Sequence, residues 1–539
     1  MLQKSDTADQ PRGDLTDPDI PPPVPYDDMR TRTDLFAGFL RARKTYGGKR
    51  VAVVDGDGTE FDYDTIARGA FALGAALKTH TQREENVGVL LPTGIGAVLA
   101  FMALSAYHRV PAMLNFTAGA RNLKSAMAAA ETRTIVTARK FIELGELQPL
   151  IDELGKDATI LYLEDIRETI GLKQKIAGGL GPIMPGLVRR TGRYNRPGVV
   201  LFTSGTEGDP KGVVLSHRNV LSNVEQVRAH IGLSAETDSV FNPLPTFHCF
   251  GLTVGAILPL IAGVKAIFHP SPLQPREIAR RIRETQATIL LATDTFISQY
   301  ARASSEGDMD SVRLAVCGAE RVRDDTRQLV RRKFNIEILE GYGATEAAPV
   351  VAANRWEKNK PGSVGDLMAD MEYELVPVEG IEEGGRLKVK GPNVMMGYLR
   401  ASNPGVLEAI EDGWHDTGDI VSIDDDGFIR IRGRVKRFAK VGGEMVSLAV
   451  VENCASAIWP DSMHAAATLP DARKGEQIVL LTDNPDVNRS DILAWAQNHG
   501  VSELSVPRRI LHVDEIPVLG TGKLDYGAVQ RTAKELSQR

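Results

Sequence analysis

Most of the chain alternates short aliphatic runs with longer segments that are rich in alanine. Residues 87–91 are aliphatic, and an apolar, helix-like segment follows at 97–106. This alternation is typical of strands joined by crossover helices. Further strand-like runs lie at residues 134–137, 160–163, 199–202 and 287–291. The pattern predicts an α/β fold with parallel or mixed sheets over residues 31–433.

The pattern changes near a basic stretch at residues 432–437. Strand-like runs then lie at 464–469 and 477–482, and a helical pattern lies at 492–499. About 100 residues are enough for an independent unit. The sequence therefore predicts a small α+β C-terminal domain over residues 434–539.

Two segments differ from this plan. Residues 1–30 carry prolines and aspartates but few core-forming side chains, which predicts a disordered or loosely attached arm. Residues 171–196, here called the basic-apolar segment, interleave leucine, isoleucine and methionine with lysine and arginine. Its composition suits an anionic membrane surface, whereas its glycines and prolines favour a simple surface excursion between strands.

Composition narrows the range of partners and compartments. The net charge is -6 from 64 basic and 70 acidic residues, which argues against nonspecific binding to nucleic acid. The three cysteines lack disulfide or zinc spacing, which favours a reducing cytoplasm. The apolar stretch 252–268 is interrupted by Pro259, Gly263 and Lys265, so we predict no transmembrane helix. The expected location is cytoplasmic, with peripheral contact at the inner face of the membrane through 171–196.

A phosphate-binding loop is indicated at residues 203–212, where glycines and hydroxyl side chains follow a strand-like run and surround Lys211. A Walker A loop has a glycine where this chain has Pro210, and a serine or threonine where it has Gly212. A kinase or GTPase of the P-loop class is therefore disfavoured. A purely structural glycine turn would leave the lysine unexplained.

This loop resembles that of the adenylate-forming superfamily, which includes acyl-CoA synthetases, luciferases and peptide-synthetase adenylation domains. Four further motifs follow in the order of that family, at residues 341–346, 413–419, 433–436 and 517–523. The resemblance thus extends over more than 300 residues. It implies a large N-terminal domain, a mobile C-terminal domain and the activation of a carboxylic acid by ATP.

The resemblance also assigns roles to residues. Glu346 and Thr345 offer hard oxygen ligands that suit Mg²⁺ bridging the phosphates of ATP. Lys211, Glu346 and Lys523 are the expected catalytic residues, with Lys523 placing a cation at the developing charge. Taken singly, Asp419 and Arg434 would more often form a surface ion pair. The expected ATP and AMP site comprises Thr203, Ser204, Gly205, Thr206, Gly208, Lys211, Gly318, Ala319, Glu320, Gly341, Tyr342, Gly343, Thr345, Asp419 and Arg434.

The C-terminal motifs are expected to support a second step. Lys436 aligns with the hinge about which the small domain of the family rotates. Lys440, Gly442 and Gly443 would then border a tunnel for a phosphopantetheine arm. Such a rotation lets one site run adenylate formation and thioester formation in turn.

The acyl pocket is expected at residues 245–252, which precede an aliphatic, helix-like run that ends at Leu260. Phe247, His248 and Gly251 are the candidate lining residues, although His248 is equally explained as a core histidine beside an aromatic ring. The run offers no isolated charge that would anchor an amino group, so a fatty acid is preferred to an amino acid.

Runs at residues 113–119, 247–255, 338–343 and 436–447 are similar to the ligase half of bifunctional 2-acylglycerophosphoethanolamine acyltransferase/acyl-acyl carrier protein synthetases. Glu207, where most of the superfamily has threonine, belongs to the same branch. The acyltransferase half is not expected here, because fewer than 50 residues precede the ligase region. The sequence thus predicts a fatty acid ligase with acyl carrier protein as acceptor. The alternatives are an acyl-CoA synthetase using coenzyme A and a non-catalytic nucleotide-binding or scaffold protein.

Overall fold

The computed structural model describes residues 23–203, 210–381, 383–441, 444–460, 462–471, 475–518 and 524–538. Residues 1–22 of the predicted arm lie outside these ranges. The last part of the arm has fixed contacts, because a 3-10 helix, Asp28–Thr31, is held by two ion pairs. Arg218 lies 2.8 Å from Asp28, and Arg30 lies 3.2 Å from Glu225.

The strands before the C-terminal part form three sheets. In chain order they are β1 (Val51–Val54), β2 (Glu60–Asp62), β3 (Asn86–Val89), β4 (Val110–Met113), β5 (Thr134–Thr137), β6 (Thr159–Tyr162), β7 (Pro197–Thr203), β8 (Lys211–Ser216), β9 (Ser239–Asn242), β10 (Lys265–Phe268), β11 (Ile289–Ala292), β12 (Leu314–Cys317), β13 (Glu337–Gly343), β14 (Val350–Ala353), β15 (Asp366–Leu367), β16 (Glu372–Val376), β17 (Gly385–Lys390), β18 (Gly397–Arg400), β19 (Asn403–Ala409), β20 (His415–Ile423) and β21 (Ile429–Arg434).

The helices of this part cover the sheets. They are α1 (Leu35–Tyr46), α2 (Tyr63–Leu77), α3 (Ile95–Ala106), α4 (Gly119–Ala129), α5 (Arg139–Leu144), α6 (Gln148–Leu154), α7 (Leu163–Glu168), α8 (Leu172–Leu180), α9 (Pro185–Val188), α10 (His217–His230), α11 (Leu258–Ala262), α12 (Pro275–Thr285), α13 (Asp294–Ala303) and α14 (Asp324–Phe334). A π-helix, Phe250–Ile257, leads directly into α11.

Two large sheets are parallel in their central strands and antiparallel towards their edges. The first has the order β15-β14-β13-β12-β11-β9-β10-β1-β2, and the second β19-β18-β8-β7-β4-β3-β5-β6. Strands β9 to β13 of the first sheet and β3 to β7 of the second pair in parallel, as expected for strands linked by crossover helices. The largest apolar core packs α2, α3 and α11 against these strands. The predicted α/β class is confirmed.

The third sheet does not follow the predicted alternation of strands and helices. Its order is β16-β17-β20-β21, and all of its pairings are antiparallel. The prediction of parallel or mixed sheets over residues 31–433 thus includes one sheet that is antiparallel throughout and whose strands the sequence did not locate. Buried and partly exposed residues alternate along β17, so only one face of this sheet is covered. Antiparallel strands can be joined by short turns and need no crossover helix.

The C-terminal part has its own sheet and apolar cores. The sheet order is β23-β22-β25-β24, and a further strand, β26, pairs in parallel with β25. Helices pack on both sides of it around two clusters of buried residues. Its elements are β22 (Phe438–Val441), β23 (Glu444–Ser447), α15 (Leu448–Ile458), β24 (His464–Asp471), β25 (Gly475–Thr482), α16 (Arg489–Asn498), β26 (Arg509–His512) and α17 (Tyr526–Gln538).

The basic-apolar segment is neither a long helix nor plain coil. It contains the short helices α8 and α9, separated by a turn. In the ranges that the structure describes, no helix combines the length and apolarity needed to cross a bilayer.

Candidate functional site

Strand ends from all three sheets meet at the predicted nucleotide site. The glycine-bracketed end of β13 leads into a 3-10 helix, Thr345–Ala347, that carries Glu346. This turn is tied to the segment before β18, because the Met395 N–H donates a hydrogen bond of 2.7 Å to the Glu346 carbonyl oxygen. Strand β18 pairs with β8, which begins at Lys211. Residues far apart in the sequence are thereby brought to one place.

Asp419 lies at the centre of a buried polar cluster. It faces Arg434 across the antiparallel pair β20 and β21, and Arg434 Nε donates a hydrogen bond of 2.8 Å to it. The Tyr342 hydroxyl donates a short hydrogen bond to the other carboxylate oxygen. The side chain of Asp419 is only 5% exposed, whereas that of Arg434 is 58% exposed. The two motifs that the sequence predicted to act on one nucleotide are thus in direct contact.

The charges of this cluster influence its titrating groups. The Asp419 carboxylate raises the pKa of Arg434, which keeps the guanidinium charged. Burial and the same carboxylate raise the pKa of Tyr342 well above its usual value, so its hydroxyl remains a hydrogen-bond donor. The cluster therefore presents one carboxylate between two fixed donors.

Glu346 has a partner that sequence reasoning missed. The Tyr398 hydroxyl donates a hydrogen bond of 2.8 Å to a carboxylate oxygen of Glu346. The ammonium of Lys211 lies 5.3 Å from the centre of the Tyr398 ring. Burial, followed by the negative charge of Glu346, raises the pKa of Tyr398. Tyr398 thus connects the expected metal ligand with the lysine of the phosphate loop.

A second missed residue is His415, at the first position of β20. It is 8% exposed, and burial lowers its pKa although the carboxylates of Glu346, Asp416 and Asp419 act in the opposite direction. The lowered pKa keeps the imidazole neutral in the neighbourhood of these carboxylates. His415 lies in the motif at residues 413–419, but that motif did not indicate that the imidazole would lie near Glu346.

Glu346 and Thr345 could hold Mg²⁺ only together with ligands from a bound substrate. Within the described ranges, no group of three or more histidine, cysteine, aspartate or glutamate side chains is arranged to hold a metal ion. Mg²⁺ is commonly held by one or two carboxylates together with substrate phosphates and water. Glu346, with the neighbouring Thr345 hydroxyl, fits that use. When bound, the ion would neutralise phosphate charge.

The phosphate loop is described only at its two ends. Thr203 at the end of β7 pairs with Lys211 at the start of β8, so the loop connects two antiparallel strands. Predicted site residues Ser204, Gly205, Thr206 and Gly208, together with the unusual Glu207, lie outside the described residues.

The predicted adenine segment follows β12. Gly318 lies beside Gly341, whose carbonyl oxygen would be 3.5 Å from a Cβ at position 318, and beside the Phe250 ring at the same distance. Ala319 adopts a φ of 71°, which turns the chain. The Glu320 carboxylate accepts hydrogen bonds from the backbone and hydroxyl of Thr295. This segment therefore lies between the end of β13 and the π-helix.

A small apolar cavity of about 10 Å³ lies between α3 and the π-helix. Its lining residues carry no charge, and they are Ala97, Val98, Phe101, Met102, Met113, Thr246, Leu252, Ala256, Ile257 and Leu260. The predicted lining residues Phe247, His248 and Gly251 adjoin it in sequence but are not among these side chains. Phe247 packs against Phe116 and His248. A Cβ at Gly251 would lie 2.3 Å from the Pro245 carbonyl oxygen, so this position requires glycine for packing.

The predicted hinge and tunnel residues are only partly described. Lys436 lies in a 3-10 helix, Val435–Arg437, between β21 and β22. The Lys440 ammonium lies 3.9 Å from Glu379 and is 57% exposed on its side chain. Gly442, Gly443 and Lys523 lie outside the described residues.

Comparison with known proteins agrees with this geometry. Residues 39–399 match the family described as AMP-binding enzyme. The chain belongs to this family. It is 30% identical over 350 residues to a long-chain-fatty-acid–CoA ligase from Salmonella typhimurium, and the match covers 62% of each protein. It is 29% identical over 347 residues to a feruloyl-CoA synthase from Amycolatopsis, covering 62% of this chain and 69% of that protein.

Solved structures share the fold over almost the whole chain. The ATP-bound MatB from Rhodopseudomonas palustris superposes with a TM-score of 0.79 at 23% identity, covering 94% of this chain and 99% of that one. The o-succinylbenzoate CoA synthetase from Bacillus subtilis, in complex with its acyl-adenylate intermediate, gives a TM-score of 0.77 at 19% identity and covers 90% and 96%. These similarities establish a large N-terminal part of mixed sheets and a smaller C-terminal part.

Proposed function

We propose that the chain joins a fatty acid to AMP and then transfers the acyl group to a thiol. A carboxylate oxygen of the acid bonds to the α-phosphorus of ATP, and pyrophosphate leaves. The sulfur of the thiol then bonds to the acyl carbon, AMP leaves, and the thiol proton passes to solvent. The observation that carries this proposal is the convergence of Lys211, Glu346 and Asp419 at one edge of the sheets, in a chain of the AMP-binding family.

The charges at this edge suit the first step. Joining a carboxylate to a phosphate brings two anions together, so fixed cations lower the barrier most effectively. Lys211 supplies one such cation, and Arg434 supplies another beside the Asp419 carboxylate. In the proposal Asp419 accepts hydrogen bonds from the ribose hydroxyls, and Lys523 reaches the reacting groups from the C-terminal part.

The apolar side chains between α3 and the π-helix support a fatty acid as the substrate. The lining of the cavity offers only the Thr246 hydroxyl as a polar group, so an amino or second carboxyl group would be buried without a partner. An alkyl chain incurs no such cost.

Coenzyme A is the preferred acceptor. Several relatives are named long-chain-fatty-acid–CoA ligases, and this favours the second of the two acceptors that the sequence suggested. Acyl carrier protein remains a second candidate because of the runs shared with acyl-acyl carrier protein synthetases, such as residues 247–255. Both acceptors present the same phosphopantetheine thiol.

One assay separates these possibilities. The chain is incubated with Mg-ATP and palmitate, first with coenzyme A and then with holo-acyl carrier protein, and AMP and thioester are measured. We expect AMP to appear in step with palmitoyl-CoA. If thioester formed only on the carrier protein, acyl carrier protein and not coenzyme A would be the acceptor.

A second assay tests the alternative of a non-catalytic scaffold. The fatty-acid-dependent exchange of labelled pyrophosphate into ATP reports the first step without any thiol. A chain that binds ATP but supports neither exchange nor AMP release with fatty acids of different length would contradict the proposal.

A further inference from the structure

The basic-apolar segment exposes an apolar face that the fold leaves uncovered. Helix α8 places Leu172, Ile176 and Leu180 four residues apart on one side, and Ile183, Met184 and Leu187 continue the same spacing. We call these side chains the docking face. Their exposed fractions range from 44% to 75%. An amphipathic helix normally turns such a stripe towards the core, whereas here it points away from it.

The segment that carries the docking face is tightly packed on the rest of the protein. The opposite side of α8 packs on α2, where a Cβ at Gly178 would lie 3.2 Å from the Ala72 Cβ. A Cβ at Gly181 would lie 2.4 Å from the Phe71 ring. The glycines therefore allow close packing of one side of the segment, while the other side remains in solvent.

A buried ion pair secures the end of the segment. Arg189 lies 2.8 Å from Asp34, and the two side chains are 3% and 0% exposed. Arg189 Nε also donates a hydrogen bond of 2.8 Å to the Ala106 carbonyl oxygen, and the Gly192 N–H donates to Asp34. The docking face is thus held in a defined orientation.

The charged side chains of the basic-apolar segment all have one sign. Residues 171–196 contain six basic side chains and no acidic one, in a chain whose net charge is -6. Arg189 is buried, and the others, Lys173, Lys175, Arg190, Arg193 and Arg196, are exposed. In the described part of the chain, only Arg196 of these five lies within 4 Å of an acidic side chain, at 3.9 Å from Glu84. The cations are therefore available to an anionic partner.

We propose that the docking face binds the surface of a bilayer that contains anionic lipids. The large apolar side chains would insert among the acyl chains, and the flanking lysine and arginine side chains would contact the anionic headgroups. An acidic carrier protein fits less well, because α8 packs on α2 and not on the elements that carry Glu346 or Asp419. A second copy of the chain would bring like charges together. This inference does not depend on the reaction that the chain catalyses.

Vesicle flotation of the full chain tests the proposal directly. We expect binding to vesicles of phosphatidylglycerol mixed with phosphatidylcholine, and much weaker binding to phosphatidylcholine alone. The variant Ile183→Ser with Leu187→Ser should lower the partition coefficient about tenfold, because both side chains are at least 74% exposed and leave the core intact. The matched control, Leu273→Ser with Val406→Ser, removes exposed apolar side chains outside the segment and should not change binding.

Charge variants provide a second arm. Replacing Lys173, Arg190 and Arg193 by glutamine should lower binding to anionic vesicles about fivefold per residue, with the difference shrinking at high salt. The control replaces Arg133, Lys140 and Lys156, which are exposed basic residues outside the segment, by glutamine. Equal vesicle binding by the docking-face or charge variants and their controls would overturn the proposal. It would also be overturned if these variants changed only self-association in sedimentation velocity, or only the KM for carrier protein.

Discussion

The Tyr398 hydroxyl lies 2.8 Å from a carboxylate oxygen of Glu346, although 52 residues separate the two in sequence. A carboxylate that accepts a hydrogen bond at one oxygen is fixed in orientation and keeps its other oxygen for a second ligand. The same tyrosine ring lies beside the Lys211 ammonium. One side chain thereby fixes the geometry between the expected metal ligand and the expected phosphate ligand.

The variant Tyr398→Phe removes this hydrogen bond and keeps the ring. Hydrogen bonds to charged groups contribute about 1.5–3 kcal/mol, so we expect pyrophosphate exchange to fall about tenfold or more. The apparent affinity for Mg²⁺ should fall as well, because Glu346 would no longer be oriented. Exchange is measured over a range of Mg²⁺ concentrations. Tyr373→Phe, at a half-exposed position in β16, serves as the control. An unchanged Mg²⁺ dependence in Tyr398→Phe would show that Tyr398 does not orient Glu346.

Asp419→Asn should weaken ATP binding with little change in the maximal rate of exchange. The amide cannot accept at both positions as the carboxylate does, so the contacts with Tyr342 and Arg434 and the proposed ribose contacts compete for one oxygen. We expect the Kd for ATP, measured by calorimetry, to rise at least tenfold. Asp416→Asn is the matched control, because Asp416 lies on the same strand but is 42% exposed and pairs with Arg386. Equal effects of the two substitutions would argue against a nucleotide role for Asp419.

Asp34 and Asp62 allow a buried ion pair to be compared with a helix cap. Both aspartates accept a hydrogen bond at the N-terminus of a helix, α1 and α2 respectively. Only Asp34 also pairs with a buried arginine, Arg189. Asp34→Ala should lower the free energy of unfolding by about 3–5 kcal/mol, because it leaves Arg189 buried without its partner. Asp62→Ala should cost about 1 kcal/mol. Urea denaturation followed by circular dichroism measures both, and similar losses would mean that the ion pair contributes nothing beyond the cap.

Local sequence patterns located several of the regular elements. The strand predicted at 134–137 is confirmed as β5, and the helix predicted at 97–106 is confirmed within α3. These predictions succeed because hydrophobic periodicity reflects burial directly. The antiparallel sheet of β16, β17, β20 and β21 was missed because its short strands carry many polar residues on their exposed face.

The site was predictable where glycine-rich motifs fix the backbone, and not where it depends on pairing. Asp419, Arg434 and Glu346 follow from motifs, and the structure brings Asp419 and Arg434 into contact. Tyr398 reaches Glu346 only because β18 pairs with β8, and no local pattern encodes that register. Phe247, His248 and Gly251 are not among the side chains that line the apolar cavity, and their place in an acyl pocket stays a prediction.

His217 should make the stability of the fold depend on pH in the acidic range. Burial lowers the pKa of His217 to about 4, and its Nδ1 accepts a hydrogen bond from the Leu35 N–H. In the unfolded chain the pKa is near 6.5, so below that pH the unfolded state takes up a proton while the folded state does not. Stability is therefore fully present above about pH 6.5 and falls as the pH decreases towards 4, by about 3 kcal/mol in total.

Thermal unfolding of His217→Gln between pH 4 and pH 7 measures this contribution. The glutamine oxygen can still accept from the Leu35 N–H, so the variant should fold, yet its stability should fall less steeply with decreasing pH. His80→Gln, at an exposed position, should leave the slope unchanged. A slope that is the same in all three proteins would assign the acid sensitivity to other groups.

The apolar cavity should set the length of the fatty acid. Met102 and Ala256 line it from α3 and the π-helix, and both side chains are almost fully buried. Met102→Ala should enlarge it and shift the preferred acid towards longer chains, at a cost of about 2–5 kcal/mol in stability. Ala256→Leu should fill it and shift the preference towards shorter chains, with kcat/KM for palmitate falling about tenfold or more. Pyrophosphate exchange with acids of increasing length, below the melting temperature of each variant, gives the two profiles. Because enlarging and filling one cavity must move the optimum in opposite directions, a shift in the same direction in both variants would show that the acyl chain lies elsewhere.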